Sequence, residues 1–130
     1  MRHTKYLLLI IPLIFIFNSF RKDMRKDSVL VCYGKLNPET TKGYKYLIVE
    51  SKHYFPSNIR AFKSQNEKVL AYISLGEVNE NAPHYDDLKK LTLGKNKIWN
   101  SHYLDLSKKK TIETLMLIVD ELFEKGYDGL

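Results

Sequence analysis

The sequence predicts an α/β fold in which parallel strands alternate with helices. Three short apolar runs, rich in β-branched residues, do not alternate between apolar and polar positions, as is typical of strands buried on both faces. Segments with helical spacing of apolar residues lie between and after these runs, an order that favours a parallel sheet. A small open parallel sheet of flavodoxin type, with a different strand order, is the alternative arrangement.

The first 27 residues form a separate region ahead of this fold. Arg2 and Lys5 precede an apolar run from Tyr6 to Phe17, and polar and basic residues follow it. This order is the layout of an export signal, and the run is shorter than the ~20 residues that span a membrane comfortably. Basic flanks on both sides argue against a buried core helix. We therefore expect residues 1–27 to be a signal peptide or signal anchor, with a membrane tether at residues 6–20 if they are not cleaved.

The leader also accounts for most of the net charge. Residues 1–27 hold six Lys or Arg and two Asp, a net +4 of the total +6, so residues 28–130 carry only +2. A nearly balanced domain does not favour nucleic acid as a partner. The single cysteine, Cys32, excludes an internal disulfide, and its apolar run favours a small buried residue over a catalytic thiol. No spacing typical of metal ligands is present, so no metal and no cofactor are expected.

The predicted strands lie in residues 28–130, which form one domain. Each of the first three is a short apolar run that ends in glycine or polar residues. They are "SVLVCYGKL" (28–36), "YKYLIVES" (44–51) and "KVLAYISLGEV" (68–78). The run "YDGL" (127–130) begins a fourth strand.

The predicted helices separate these strands. Pro56 suits the first turn of a helix over "SNIRAFKSQ", and "HYDDLKKL" predicts a short helical segment. The clearest helix runs from about Lys108 to Lys125 and ends at Gly126, a residue typical of helix C-caps. Its spacing predicts one apolar face, made up of Ile112, Leu115, Val119, Leu122 and Phe123.

Polar and aromatic groups follow the predicted strands where a parallel sheet binds its ligands, at the carboxyl ends. Tyr33 follows the first strand, Glu50 the second, and Ser74 and Glu77 lie at the end of the third. Asp128 is a further candidate, although its place at the start of the fourth strand favours the opposite edge. These five are the candidate substrate-binding residues. Glu77 and Glu50 also fit solvated carboxylates, and Tyr33 also fits a packing residue.

The tryptophan and the histidines have several interpretations. Trp99, in "KNKIWNSHYLDL", suits either a core anchor or a platform on which a sugar ring stacks. We interpret His53, His84 and His102 as surface or loop residues.

Five segments together resemble the TIM-barrel glycoside hydrolases of family 114. They are, in chain order, "VCYGKL", "YKYLIVES", "KVLAYISLGEVN", Trp99 with "LDLS", and "KGYDGL". The resemblance covers nearly all of residues 28–130, and "YISLGE" and "KGYDG" are its most specific parts. It is closest to exported members of the family, some of which carry a label relating them to cysteinyl-tRNA synthetase. No phosphate-binding loop or synthetase signature is present.

The resemblance implies a fold and an activity. Residues 28–130 would form the first half of a (β/α)8 barrel, truncated in the fourth strand, since a complete barrel takes roughly 250 residues. Family members are similar to endo-α-1,4-polygalactosaminidases, which cut galactosamine polymers with two carboxyl groups flanking the scissile bond. The family pattern places a catalytic aspartate a few residues after "GYDG" and a glutamate on a later strand. Neither catalytic acid is therefore assignable in this chain.

Two functions follow as expectations. The first is an exported, polysaccharide hydrolase-like protein, secreted or membrane-anchored outside the cytoplasm, whose residues 1–130 have no activity by themselves. The alternative is a non-catalytic carbohydrate-binding or scaffold protein of the cell envelope.

Overall fold

The computed structural model describes residues 28–130, and the predicted signal at residues 1–27 lies outside them. The first sheet contains the parallel strands β1 (Val29–Cys32), β2 (Tyr46–Glu50) and β3 (Lys68–Tyr72), in the order β1-β2-β3. Gly129 forms a parallel bridge with Leu70, which places residues 128–130 beside β3. The predicted parallel strands in sequential order are confirmed. The flavodoxin-type alternative is wrong, because that fold separates the second strand from the third.

A second sheet, which the sequence pattern did not predict, follows β3. It is antiparallel and contains β4 (Glu77–Asn79), β5 (Thr92–Asn96) and β6 (Ser101–Leu104) in the order β4-β6-β5. The predicted third strand over 68–78 is therefore wrong in extent. The chain leaves the parallel sheet after Tyr72, and the carbonyl of Gly76 accepts a hydrogen bond from the Leu104 amide at 2.8 Å. This bond starts the pairing with β6.

Three helices complete the described fold. They are α1 (Pro56–Gln65), α2 (Tyr85–Leu88) and α3 (Lys109–Glu124). Pro56 stands in the first turn of α1, as predicted, and the Asn58 side chain accepts a hydrogen bond from the Phe55 amide at 2.9 Å. Gly126 follows α3 with a φ of +101°, which confirms the predicted helix stop. No helix in this part of the chain is both long enough and apolar enough to cross a membrane.

The main core lies between one face of the parallel sheet and the helices. Alternate residues of β2 and β3 point toward α1, whose own buried residues fill the space between. Burial of each large aliphatic or aromatic side chain contributes about 1.5–3 kcal/mol. The members of this core are Leu47, Val49, Tyr54, Ile59, Phe62, Val69, Ala71, Leu122 and Tyr127.

The buried face of α3 differs from the predicted one. Leu115 and Leu122 are buried as expected, but Thr111 is buried with them, whereas Ile112 and Phe123 are exposed. The buried face of α3 is thus rotated around the helix axis relative to the face that hydrophobicity alone indicates. The apolar pattern overestimated the width of the face that packs on the described core.

Asp128 lies at the amino end of β3. One carboxylate oxygen accepts a hydrogen bond from the Val69 amide at 2.8 Å, and the other lies 2.7 Å from the Lys63 ammonium. Burial alone would raise the pKa of this carboxyl, but the bonds from Lys63 and Val69 hold it below its ordinary value.

The substitution Asp128→Asn is expected to reduce the free energy of unfolding by about 1–2 kcal/mol at pH 7, since a charge-assisted bond is lost. Because the folded-state pKa is lowered, the contribution is present above about pH 4 and is lost as pH falls through the folded value. Urea unfolding at pH 7 and pH 3 measures this. The exposed Asp120→Asn is the control, and a deficit equal at both pH values would contradict the prediction.

Candidate functional site

The carboxyl ends of β1, β2 and β3 meet at one edge of the parallel sheet. We call this edge the rim and define it by Tyr33, Glu50, Lys52, His53 and Tyr72. The register pairs Glu50 with Tyr72 and places Tyr33 one residue beyond β1. The rings of Tyr33 and Tyr72 pack edge to face, with centroids 4.8 Å apart. Parallel pairing thus brings together side chains that are far apart in sequence.

Glu50 is the carboxylate of the rim. Its oxygens lie 2.8 Å from the Lys52 ammonium and 3.7 Å from His53 Nε2. The same histidine nitrogen is 3.2 Å from the Tyr33 carbonyl oxygen, so His53 links the ends of two strands. Ion pairs this exposed stabilise a fold only weakly. These side chains also form a polar surface beside the Tyr33 and Tyr72 rings. The surface offers hydrogen-bond donors and acceptors to the hydroxyl and amino groups of a ligand.

Tyr54, a residue of the main core, stabilises this edge of the sheet. Its hydroxyl accepts a hydrogen bond from the Leu36 amide at 2.7 Å and lies 3.4 Å from the Gly34 carbonyl oxygen, so it holds the loop that carries Tyr33. Burial raises the pKa of Tyr54, which keeps the phenol protonated and able to donate. Sequence reasoning did not identify this residue.

Glu77 occupies a different setting, in the second sheet. It opens β4 opposite Tyr103, and its carboxylate accepts hydrogen bonds from the Asn96 amide group at 3.1 and 3.3 Å and from the Ser101 hydroxyl. No lysine, arginine or histidine of residues 28–130 forms an ion pair with it. These bonds fix the carboxylate while leaving it half-exposed.

The comparisons with known proteins assign the chain to a family. The family model described as glycoside-hydrolase family GH114 matches residues 22–130. The chain belongs to family GH114. The predicted resemblance is thereby confirmed. No curated protein matches the sequence.

Two solved GH114-like structures are similar to the described fold. The glycoside hydrolase domain of PelA from Pseudomonas aeruginosa has a TM-score of 0.64 and 27% identity, over 79% of this chain and 42% of that chain. Ega3 from Aspergillus fumigatus, solved in complex with galactosamine, has a TM-score of 0.66 and 21% identity, over 78% of this chain and 41% of that chain. The latter shows the fold alone. This GH114 chain thus spans less than half the length of either structure.

The GH114 fold places the five predicted site residues in four locations. Tyr33 and Glu50 lie together at the rim. Ser74 is exposed in the segment that leads from β3 to the second sheet, and Glu77 lies within that sheet. Asp128 lies at the amino end of β3, apart from the others, where it bonds to backbone and lysine.

His53 and Lys52 are rim residues that sequence reasoning missed. The sequence indicates a surface or loop position for His53. Lys52 and His53 both belong to the 3-10 turn Ser51–His53, which follows β2 directly. Their position two and three residues after Glu50, at a strand end, is the signal that could have identified them.

Other candidate features of the chain lie away from the rim. Trp99 is 74% exposed between β5 and β6, so its interpretation as a core anchor is wrong. A shallow groove of about 220 Å³ lies between α2 and α3 and includes His84, Asp87 and Glu121 in its lining. Among the described residues, no group of three or more His, Cys, Asp or Glu side chains is placed to hold a metal ion.

Proposed function

We propose that this GH114 chain is an exported, hydrolase-like protein whose substrate is an α-1,4-linked galactosamine polymer. The observation that carries the proposal is the rim, an edge with two tyrosines and a carboxylate on a fold similar to Ega3, which was solved with galactosamine. Tyrosine rings pack against the apolar faces of sugars, and carboxylates accept hydrogen bonds from hydroxyl and ammonium groups. Export rests on the basic, apolar and polar order of residues 1–27.

Within this proposal, Glu77 contacts the substrate and does not perform the cleavage. Its oxygens are held by Asn96 and Ser101 and carry no cationic partner in the described chain, so they suit the ammonium group of galactosamine. Tyr33, Glu50 and Ser74 contribute further contacts. Cleavage needs two carboxyl groups about 5–9.5 Å apart across the bond. We assign neither of them to these residues, and we expect residues 1–130 alone to give no turnover.

A non-catalytic, carbohydrate-binding function is the second candidate. The observation that favours it is the pairing of Glu50, which faces both Lys52 and His53. A carboxylate that two neighbouring side chains hold in place can still accept hydrogen bonds from the hydroxyl groups of a sugar, which suits a binding surface.

A hybrid enzyme tests the proposal. In it, residues 28–130 replace the part of the PelA glycoside hydrolase domain that they match. We expect the hybrid to cleave galactosamine oligomers and Glu77→Ala to lower its kcat/KM about 10- to 100-fold, since a charge-assisted bond to substrate is lost. The control is Glu80→Ala, three residues away, whose carboxylate is exposed and paired with Lys95 at 2.9 Å. It is expected to leave the rate unchanged.

Two further measurements decide the outcome. Thermal unfolding of both variants separates loss of a substrate contact from loss of the Asn96 and Ser101 bonds that stabilise the second sheet. A Glu77→Ala hybrid with full activity would contradict the role of Glu77. A folded hybrid that binds galactosamine oligomers without cleaving them would replace the hydrolase proposal by the binding one.

A further inference from the structure

The hairpin of β5 and β6 ends in a turn whose two apolar side chains are largely exposed. The turn occupies residues 97–100, "KIWN", between the two strands. Ile98 is 86% exposed and Trp99 is 74% exposed, and neither belongs to one of the two buried cores. We call residues 97–100 the hairpin tip. The tip lies in the connection from β3 to α3, and it is part of neither the parallel sheet nor the helices.

Side chains of the second sheet hold the backbone of the hairpin tip. The Asn96 side-chain carbonyl accepts a hydrogen bond from the Ile98 amide at 3.0 Å, and the Asn79 side-chain amide donates to the Asn100 carbonyl at 3.1 Å. Asn100 has a φ of +49°, a left-handed conformation in which asparagine is enriched. Backbone groups that are already bonded cost less to remove from water. The turn can therefore enter an apolar environment more easily than an open loop could.

The hairpin is also the most clearly basic part of the domain. Residues 88–104 contain four lysines and no Asp or Glu, a net +4, although residues 28–130 as a whole carry only +2. Lys95 is paired with Glu80 at 2.9 Å. Lys97, in the hairpin tip, forms no ion pair with another described residue, so its charge is available to a partner. A partner that complements this charge is anionic.

We propose that the hairpin tip binds the interface of an anionic lipid bilayer, with Ile98 and Trp99 at the boundary of the acyl chains and Lys97 beside the lipid phosphates. Tryptophan is enriched at membrane–water interfaces because its ring is apolar and its N–H still finds a hydrogen-bond partner. An apolar surface flanked by lysines binds anionic bilayers through burial of apolar area and through charge. The tip is a membrane contact separate from the tether predicted at residues 6–20.

The charge and chemistry of the hairpin tip fit other occupants less well. A galactosamine polymer is cationic, so Lys95 and Lys97 repel it, and Ile98 offers a sugar no hydrogen bond. A second copy of the chain would bring two +4 segments together. A nucleic acid would pair with the lysines, but contacts to its phosphates would leave Ile98 in water. The inference does not rest on the proposed substrate, and its test involves no hydrolysis.

The fluorescence of Trp99 provides the test, because this residue is the only tryptophan of the whole chain. The whole chain is mixed with vesicles that carry bromine-labelled acyl chains, which quench a tryptophan that reaches them. One set contains phosphatidylglycerol and phosphatidylcholine in equal amounts, and the other contains phosphatidylcholine alone. Sedimentation measures the bound fraction, and quenching is compared per bound chain, so that binding through residues 1–27 does not enter. We expect strong quenching of Trp99 in the anionic vesicles and little in the neutral ones.

Substitutions in the hairpin tip have matched controls elsewhere in the chain. Ile98→Ala and Lys97→Glu are each expected to remove most of the quenching in anionic vesicles. Phe55→Ala removes an apolar side chain that is 77% exposed ahead of α1, and Lys42→Glu reverses the charge of an exposed lysine. Both controls are expected to leave the quenching unchanged.

A second arm removes the leader from the measurement. The PelA hybrid contains residues 28–130 alone, and its co-sedimentation with anionic vesicles gives an affinity for lipid. Lys97→Glu is expected to weaken this affinity about 5- to 30-fold, since each lysine near an anionic surface adds to binding. Ile98→Ala is expected to weaken it about tenfold, because apolar carbons leave the bilayer.

Several results would overturn the proposal. They are absence of Trp99 quenching in chains bound to anionic vesicles, equal quenching in neutral vesicles, equal effects of Ile98→Ala and Phe55→Ala, and a lipid affinity of the hybrid that neither tip substitution changes. A shift of Trp99 emission with galactosamine oligomers, without quenching by lipid, would assign the tip to sugar stacking instead. The same shift with a short DNA duplex, or with rising concentration of the chain alone, would assign it to nucleic acid or to a second copy.

Discussion

Replacing Phe62 by alanine is expected to lower the free energy of unfolding by about 3–5 kcal/mol, the range measured when a buried aromatic ring is removed. Phe62 is 0% exposed and stands in α1, where it packs with Leu47 and Val69 of the sheet. Its ring also packs edge to face on Tyr54, with centroids 5.0 Å apart. Because small domains are stable by only about 5–15 kcal/mol, this loss removes a large share of the total stability. Urea unfolding followed by circular dichroism measures it.

The chain provides a matched control for this substitution. Phe123, on α3, is 49% exposed. Phe123→Ala removes the same atoms, and it is expected to cost less than about 1 kcal/mol in the chain as described, as surface substitutions do. Equal losses at the two positions would show that the core is not where the structure places it. Tyr54 packs on Phe62 and holds the loop that carries Tyr33. Phe62→Ala should therefore also loosen that loop.

The parallel sheet was predictable because its signal is local. Each of its strands is a continuous apolar run, a composition that is typical of parallel strands and separates them from the helices. The same logic placed Tyr33 and Glu50 together, since parallel strands bring their carboxyl ends to one edge. The order of the strands also followed, because each connection is short.

The second sheet was not predictable in the same way. Its strands have three to five residues each and contain Glu77, Asn96 and Ser101, residue types that composition alone assigns to loops. What makes them strands is pairing with one another, a non-local property. Glu77 was therefore expected directly at the end of the third strand, whereas it stands in a separate sheet. The bonds that hold its carboxylate come from residues about 20 positions away.

The mismatch on α3 has a related cause. Apolar spacing indicates every face of the helix that avoids water, and it cannot separate the face that packs on the described core from apolar positions that are exposed in residues 28–130. Ile112 and Phe123 were predicted correctly as apolar positions and wrongly as members of this core.

Asn66 is a buried polar residue that no sequence pattern predicted. It follows α1 in the polar run "SQNEK", a composition typical of an exposed helix end, yet it is fully buried. Its side-chain amide donates to the carbonyls of Thr41 and Phe62, both at 2.9 Å, and its side-chain carbonyl accepts from the Tyr44 amide at 3.0 Å. One side chain thus joins the end of α1 to the segment that enters β2.

Asn66→Ala is expected to lower the free energy of unfolding by about 2–4 kcal/mol, since backbone groups of Thr41 and Tyr44 lose their partner and each such loss costs about 1–3 kcal/mol. Asn81→Ala, at an exposed position, is the control and should stay within about 0.5 kcal/mol of the parent. Asn66→Asp separates bonding from volume, because its second oxygen would face two carbonyls. Burial raises the pKa of such a carboxyl, so its stability should be greatest near pH 4 and fall as pH rises. An Asn66→Asp variant as stable as the parent at every pH would show that the cavity, and not the hydrogen bonds, carries the effect of Asn66→Ala.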